Sequence, residues 1–170
     1  MTEQRARIVA HVVDHPGTHF NELLRELELA TGQAQYHLHR LVRQNEIRRA
    51  EFYGRTHYFP LEWTEWERGA IAMARRETAR DVLLELLERG PSEPQAIADA
   101  LDVARSTLEW HLDHLVELDV VRKERDSRNR VTLVLMRPRE TMRVLETVDP
   151  TLSETFVDRF IRLTDSLLDL

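Results

Sequence analysis

The stretch Tyr36-His37-Leu38-His39-Arg40-Leu41-Val42 recurs as Trp110-His111-Leu112-Asp113-His114-Leu115-Val116, at an offset of 74 residues. The same offset holds without a gap over tens of residues on either side. Apolar positions fall on apolar positions: Ile8 on Val82, Leu23 on Ile97, and Ile47 on Val121. A repeat of this length exceeds the roughly 20–50 residues of a solenoid unit. Each copy is therefore predicted to be a small domain with its own core.

Within each copy, apolar spacing predicts three helices followed by a β-hairpin. The first helix of each copy carries one apolar stripe: Ile8, Val9, Val12 and Val13, then Val82, Leu83, Leu86 and Leu87. The second helix is expected to follow Thr18 in the first copy and to begin at the capping-box pattern Ser92-Glu93-Pro94-Gln95 in the second. Residues 47–59 and 120–136 change to β-branched and aromatic residues around polar tips, which predicts the hairpins. Three helices and a hairpin define a winged helix.

The predicted fold is mainly α with small β wings (α+β), with two tandem winged-helix domains at 1–60 and 79–137. Residues 61–78 are predicted to form a connector, because Thr64-Glu65-Trp66-Glu67 is a capping box that can begin a helix running toward Arg76. Trp63 and Trp66 are expected to pack between the domains, although a ligand pocket lined by them is the alternative. Residues 138–170 are expected to be a C-terminal helical segment, with a helix opening at Asp149-Pro150.

Composition limits the possible functions. The 170 residues include no cysteine, so disulfides and thiolate metal sites are excluded. No apolar run approaches the roughly 20 residues of a membrane helix, and the N-terminus lacks a signal-peptide core, which favours a cytoplasmic protein without membrane contact. The net charge of −6 means that positive charge must be localised if the chain binds a polyanion. Of the 24 basic residues only Lys123 is a lysine; arginine suits phosphate and guanine edges, but genome composition or salt adaptation explains the bias equally simply.

Two stretches carry a family resemblance. Residues 27–41 and 101–115 resemble the turn and recognition helix of ArsR- and MarR-type winged helix-turn-helix transcription regulators, and their doubling resembles archaeal tandem winged-helix regulators. The resemblance covers roughly residues 5–60 and 79–136. Both copies depart from the family at the helix cap, because Ala30 and Ala104 stand where a Ser or Thr is usual. Such a loss costs about 1 kcal/mol.

The resemblance implies that the third helix of each copy enters the major groove of double-stranded DNA. In the third helix of the first copy, the candidate residues are Gln33, Gln35, Tyr36, His39, Arg40 and Arg43. Gln can pair with adenine and Arg with guanine, so this face offers direct readout. The third helix of the second copy offers Ser106 and Thr107, but it also places Glu109, Asp113 and Glu117 beside Trp110. Several carboxylates oppose phosphate binding, so the third helix of the second copy is the weaker candidate for DNA contact.

The wings are the remaining candidates for DNA contact. The second wing concentrates five cations in nine residues: Arg122, Lys123, Arg125, Arg128 and Arg130. The first wing offers Arg48, Arg49 and Arg55, together with Tyr53, His57 and Tyr58. We expect both wings to hold the phosphate backbone, while mainly the third helix of the first copy reads the base sequence. The alternative is that these charges only keep an exposed hairpin edge soluble.

The C-terminal segment is expected to mediate dimerisation, because regulators of the resembled class usually pair on two-fold operators. Its apolar residues recur at helical spacing, and the dimerisation candidates are Leu152, Phe156, Phe160, Leu163 and Leu167. Such a stripe is too apolar to face water alone. Packing back onto its own domain is the alternative to a homodimer.

Histidines His11, His15, His19, His37 and His39 cluster in the first copy and raise the possibility of a metal site or a pH response. We predict neither a metal nor a cofactor, because no cysteine accompanies them and a structural role is simpler. No Gly-rich phosphate loop, nucleophile elbow or metal-hydrolase motif is present, so the sequence does not predict an enzyme. The predicted function is a sequence-specific DNA-binding transcription regulator; the alternative is a winged-helix scaffold that binds proteins of the transcription or chromosome machinery.

Overall fold

The computed structural model describes residues 2–154. The first repeat contains three helices and three short strands: α1 (Glu3–Asp14), β1 (Thr18–His19), α2 (Phe20–Leu27), α3 (Thr31–Arg43), β2 (Arg48–Phe52) and β3 (Arg55–Phe59). The hairpin β2–β3 is wing 1. The second repeat contains α5 (Glu77–Arg89), α6 (Pro94–Leu101), α7 (Arg105–Glu117), β4 (Val121–Arg125) and β5 (Val131–Leu135). The hairpin β4–β5 is wing 2. Between the repeats lies α4 (Glu65–Ala74), and α8 (Pro138–Val148) follows wing 2.

The helices and wings confirm the mainly α prediction with small antiparallel wings. Wing 1 pairs Arg48 with Phe59 and Phe52 with Arg55, and wing 2 pairs Val121 with Leu135. Strand β1 was not predicted: Thr18 and His19 pair with Tyr58 and His57, which extends wing 1 to three strands. Two residues between the turn and α2 carry no sequence periodicity, so this strand left no signal.

The connector helix α4 is buried on every side in its C-terminal part. Thr64 caps it, because its hydroxyl accepts the Glu67 N–H at 3.2 Å, as the capping box predicts. All residues from Gly69 to Ala74 are buried. The helix packs on α8, α5 and α7 and on β2 of the first repeat. A helix that is apolar all round must be enclosed, and α4 accordingly lies inside the larger of two apolar clusters.

The smaller cluster is the core of the first repeat, formed by α1, α2, α3 and wing 1 around Ile8, Leu23, Leu38 and Leu41. The larger cluster joins α4 and α8 to the second repeat, and it also takes in Phe59 from wing 1. The connector is therefore part of the second repeat's core rather than a free link.

Several local predictions were wrong. Val13 is 51% exposed, and the first stripe instead buries His11 beside Ile8 and Val12. Ser92 does not cap α6, whose N-cap is Glu93 with no side-chain bond; the Ser92 backbone pairs with Leu133 instead. His57 and Tyr58 of wing 1 face the interior. By contrast, Asp149 fits the predicted helix start: it ends α8 as its C-cap, and its carboxylate then accepts the Thr151 N–H at 3.1 Å ahead of helical residues 152–154.

The proposed dimerisation residues Phe156, Phe160, Leu163 and Leu167 lie outside the described residues. Leu152 is described, and it packs partly buried against the larger cluster. Among residues 2–154, none of the helices has the length and apolarity of a transmembrane span.

Candidate nucleic-acid interface

Helix α3 presents an uncovered polar face. Its core side is Ala34, Leu38 and Leu41, and every residue that the sequence proposed for DNA reading is exposed: Gln33, Gln35, Tyr36, His39, Arg40 and Arg43. The helix contains no Asp or Glu. Its exposed face therefore combines hydrogen-bonding groups with positive charge in a chain whose net charge is negative.

Two side chains of this face form a pair. The Arg40 guanidinium donates to the Tyr36 hydroxyl at 3.2 Å and lies 5.7 Å from the centre of the Tyr36 ring. The Tyr36 side chain is nevertheless 55% exposed. The contact holds both groups one turn apart on the outer face, where they stay accessible to a ligand.

Gln33 has a second role at the start of α3. Ala30 cannot cap the helix, but the Gln33 side-chain oxygen accepts the Ala30 N–H at 3.4 Å. This contact is the reverse half of a capping box. The first repeat thus recovers part of the missing cap, whereas α7 has no side-chain cap at Ala104.

Wing 1 exposes Arg48, Arg49 and Arg55. Arg49 pairs with Glu51 at 2.7 Å across an exposed strand, which neutralises part of its charge. Arg48 and Arg55 have no carboxylate partner among the described residues. Wing 1 therefore retains two uncompensated cations.

In wing 2, three of the five predicted cations form ion pairs. Arg122 pairs with Glu124, Lys123 with Glu109 of α7 at 2.8 Å, and Arg130 with Asp126 at 2.8 Å. Asp126 also accepts the backbone N–H groups of Arg128 and Arg130, which shape the tip of the hairpin. These hydrogen bonds lower the pKa of the Asp126 carboxyl.

Two cations of wing 2 remain available. Arg125 donates to the Asn129 side-chain oxygen at 3.1 Å, and the Arg128 side chain contacts no carboxylate within residues 2–154. Both side chains are exposed. The wing is therefore less positive than its sequence suggested, and its free charge is concentrated at the tip.

Helix α7 is not equivalent to α3. Ser106 and Thr107 are exposed at its start, but Glu109 is held by Arg105 and Lys123, and the tip of wing 1 contacts the outer face of the helix through Tyr53. Sequence reasoning missed this contact, because a pairing between distant segments has no local pattern.

The histidines lie mostly inside the first repeat. The His11 ring stacks on His15 and faces the Thr18 hydroxyl at 3.1 Å from Nε2. His57 Nδ1 lies 2.7 Å from the Gly17 carbonyl oxygen, so Nδ1 carries the proton and donates. Burial lowers the pKa of His11, His19 and His57, and that of His57 falls to about 4. In residues 2–154 no three His, Asp or Glu side chains form a group that could hold a metal ion.

An ion pair ties this histidine region to the connector. Arg75, at the C-terminal end of α4, pairs with Glu22 of α2. Burial alone would raise the pKa of Glu22, but the hydrogen bond and the charge of Arg75 lower it. The positive charge of Arg75 also opposes protonation of His19 and His57. These side chains therefore have a structural role at the junction of α2 and α4.

Two helix-turn-helix units, each followed by a hairpin, make the chain a tandem winged helix-turn-helix protein. Residues 2–71 match the family HTH_HVO_0163_N, an N-terminal HTH domain, and residues 73–124 match the family HTH_20, a helix-turn-helix domain. These matches confirm that each repeat contains a helix-turn-helix domain.

The chain is similar to the "Uncharacterized HTH-type transcriptional regulator MJ1398" of Methanocaldococcus jannaschii, at 26% identity over 131 residues. The match covers 77% of this chain and 33% of that protein, so the chain spans about a third of that relative's length.

Two solved structures are similar to the chain at lower levels. An ArsR family transcriptional regulator, RHA00566, is 22% identical with a TM-score of 0.40, over 56% of this chain and 94% of that one. Overoxidized AbfR bound to DNA is 16% identical with a TM-score of 0.42, over 82% of this chain and 95% of that one. These scores are too low to carry an argument about this chain.

The neutral state of His57 makes the folded chain sensitive to acid. An unfolded imidazole has a pKa near 6.5, whereas that of folded His57 is about 4. Protons therefore bind the unfolded state first, and stability falls as the pH drops from about 6.5 toward 4, by about 3 kcal/mol for this one group. Urea unfolding at a series of pH values should show this loss.

His57→Asn keeps a donor near the position of Nδ1 but cannot titrate, so it should flatten the pH profile over this range. His39→Asn is the matched control, because His39 is exposed on α3 and its replacement should leave the profile unchanged. An H57N variant that loses stability with acid as steeply as the parent would contradict this account.

Proposed function

We propose that the protein is a sequence-specific DNA-binding transcription regulator in which α3 reads the major groove and the wings contact the phosphate backbone. The observation that carries this proposal is the face of α3. Each of its six candidate residues is exposed, and the face is free of carboxylates and lined by Gln, His, Tyr and Arg side chains. A helix of this kind is the element that the major groove admits.

The chemistry of α3 suits base edges. Gln35 has a donor and an acceptor on one amide, which can pair with the N6 and N7 of adenine. Arg40 and Arg43 carry planar forks that can bind guanine O6 and N7 or a phosphate. Neither Gln35 nor Arg43 has a side-chain hydrogen bond within residues 2–154, so neither has to break one in order to bind.

The overall charge of −6 also favours a localised contact. A protein with this net charge is repelled by DNA at long range, and only a concentrated positive surface offsets that repulsion. Six cations without a carboxylate partner among residues 2–154 lie on α3 and on the two wings: Arg40, Arg43, Arg48, Arg55, Arg125 and Arg128. We infer that the wings hold the backbone while α3 specifies the sequence.

The name of the Methanocaldococcus relative, an HTH-type transcriptional regulator, supports this function. The alternative, a protein-binding scaffold, depends on the acidic face of α7. In the structure Glu117 of that face contacts wing 1 and Glu109 pairs with Lys123 of wing 2, so two of its three acids already have partners within the chain. The proposed function requires no catalytic step. It implies that the protein acts in the compartment that contains the chromosome.

We also propose a homodimer, since two-fold operators are bound by paired half-site readers about 34 Å apart. The apolar stripe that continues from Leu152 in the sequence supports it. Light scattering over a range of concentrations should give a mass near twice the 20.1 kDa of one chain. A monomer mass at every concentration would contradict the dimer without affecting the role of α3.

The reading role of α3 is tested by selecting bound fragments from a randomised DNA library. The parent should enrich a motif, and Gln35→Ala should lower affinity for that motif roughly 10-fold while leaving affinity for unrelated DNA unchanged. Arg25→Ala is the control, because Arg25 is exposed on α2 outside this face. Failure of the folded parent to enrich any motif would overturn the proposed function.

The role of wing 2 is tested by the double variant Arg125→Glu and Arg128→Glu. Affinity should fall for all DNA sequences alike. The slope of log affinity against log salt concentration should become shallower by about one for each phosphate that the wing no longer neutralises. The matched control reverses the same charge elsewhere, with Arg25→Glu and Arg89→Glu on exposed parts of α2 and α5. Equal reductions in affinity for both variants would assign the effect to net charge and remove wing 2 from the interface.

A further inference from the structure

The two repeats do not use their third helices in the same way. We propose that α7 does not read DNA and that its outer face is instead the docking surface for the tip of wing 1, with Tyr53 as the residue that positions the wing. This inference rests on the proposed function, since it states which of two candidate helices reads the sequence. It is carried by contacts that join the repeats.

Tyr53 makes three contacts with α7. Its ring lies over the His114 imidazole, with the ring centres 3.5 Å apart. Its hydroxyl donates to the Glu117 carboxylate at 3.2 Å and lies 3.5 Å from the His114 carbonyl oxygen. Burial and the neighbouring Glu117 raise the pKa of Tyr53 to about 12, so the phenol stays protonated and can donate.

The connector completes the docking surface through Arg76. The Arg76 side chain donates to the Tyr53 carbonyl oxygen at 3.3 Å, and its guanidinium lies 5.1 Å from the centre of the Trp110 ring. The Trp110 ring meets His114 edge to face at 4.3 Å. Wing tip, connector and α7 thus form one continuous set of contacts, although Trp110 remains 44% exposed.

The repeat offset shows what this docking replaces. Trp110, His114 and Glu117 of α7 occupy the positions that Tyr36, Arg40 and Arg43 hold on α3. On α3 this face is uncovered, and on α7 the corresponding face contacts wing 1. Arg76 has no counterpart in the first repeat, where the offset falls on Thr2.

Wing 2 cannot make the corresponding contact with α3 of another chain. The residue that the offset aligns with Tyr53 is Ser127, which has no ring to stack. Its neighbour Arg128 would meet Arg40 and Arg43, and like charges repel. The substitution pattern therefore leaves α3 free for DNA and commits α7 to a contact within the chain.

Charge and shape both exclude α7 from a major groove while wing 1 is docked. The groove is about 12 Å wide and admits one helix, whereas the tip of wing 1 lies against the C-terminal half of α7 at His114 and Glu117. The remaining exposed acids of α7, Asp113 and Glu117, would face phosphates. A reading role would require the loss of the Tyr53 contacts.

The docking is tested without DNA by a double-mutant cycle between Tyr53→Ala and His114→Ala, measured by urea unfolding of the full chain. Groups in contact show non-additive effects, so the coupling should change the unfolding equilibrium constant by about threefold or more. The matched control pairs Tyr53→Ala with Asp113→Ala, because Asp113 is exposed on the same helix and outside the contact. That second cycle should be additive.

Additivity in the His114 cycle would overturn the docking. The reading role is tested separately, by comparing the motif selected by the parent with that selected by a variant carrying Ser106→Ala, Thr107→Ala and Asp113→Ala. An unchanged motif supports the proposal, whereas altered base preferences would show that α7 reads DNA and would overturn it.

Failure of the proposed function has a different signature. A parent that selects no motif would contradict DNA reading by α3, yet the double-mutant cycle would still decide whether wing 1 docks on α7. Tyr53→Phe adds a graded comparison, because it keeps the ring over His114 and removes only the hydroxyl contacts with Glu117 and the His114 carbonyl oxygen. The destabilisation that His114→Ala causes should be nearly the same in the Tyr53→Phe variant as in the parent.

Discussion

Enclosure of α4 is the constraint on which the arrangement of the two repeats depends. A helix with every residue from Gly69 to Ala74 buried has no face for water, so both repeats must pack against it. Gly17 of the first repeat shows how close this packing is. A Cβ atom at Gly17 would lie 2.7 Å from the Ile71 side chain, and the glycine also adopts a φ of +83°. The Glu22–Arg75 ion pair holds the same junction from its polar side.

This enclosure makes the connector a structural part of the second repeat. Ala70, Met73 and Ala74 belong to the same apolar cluster as Leu83 and Leu112, and Phe59 carries that cluster into wing 1. The orientation of α3 relative to the second repeat is consequently set by packing on a rigid helix. Two helix-turn-helix units joined by a flexible linker would sample many relative positions, and these two units do not have that freedom.

Much of the fold was predictable because helical spacing and the 74-residue offset are local or repeated signals. Leu38 and Leu112 mark the buried faces of α3 and α7, and Thr64 marks the start of α4, as the structure shows. Strand β1 was not predictable, since its partner β3 is far away in sequence. The burial of His11 was not predictable either, because its partners His15 and Thr18 are polar and add nothing to an apolar pattern. The same reason explains which features of the candidate site were predictable. Exposure of the α3 face follows from periodicity, whereas the pairing of Lys123 with Glu109 and the covering of α7 by Tyr53 are tertiary contacts.

The half capping box at the start of α3 has a consequence for how that helix can evolve. The Gln33 oxygen that accepts the Ala30 N–H is the same atom that a bidentate contact with adenine would use. While the helix start is held in this way, the orientation of the Gln33 amide is tied to the Ala30 N–H. Helix initiation and base choice thus compete for one side chain. A Ser or Thr at position 30 would accept the Gln33 backbone N–H and complete the capping box, so it would strengthen the helix start without releasing the Gln33 side chain.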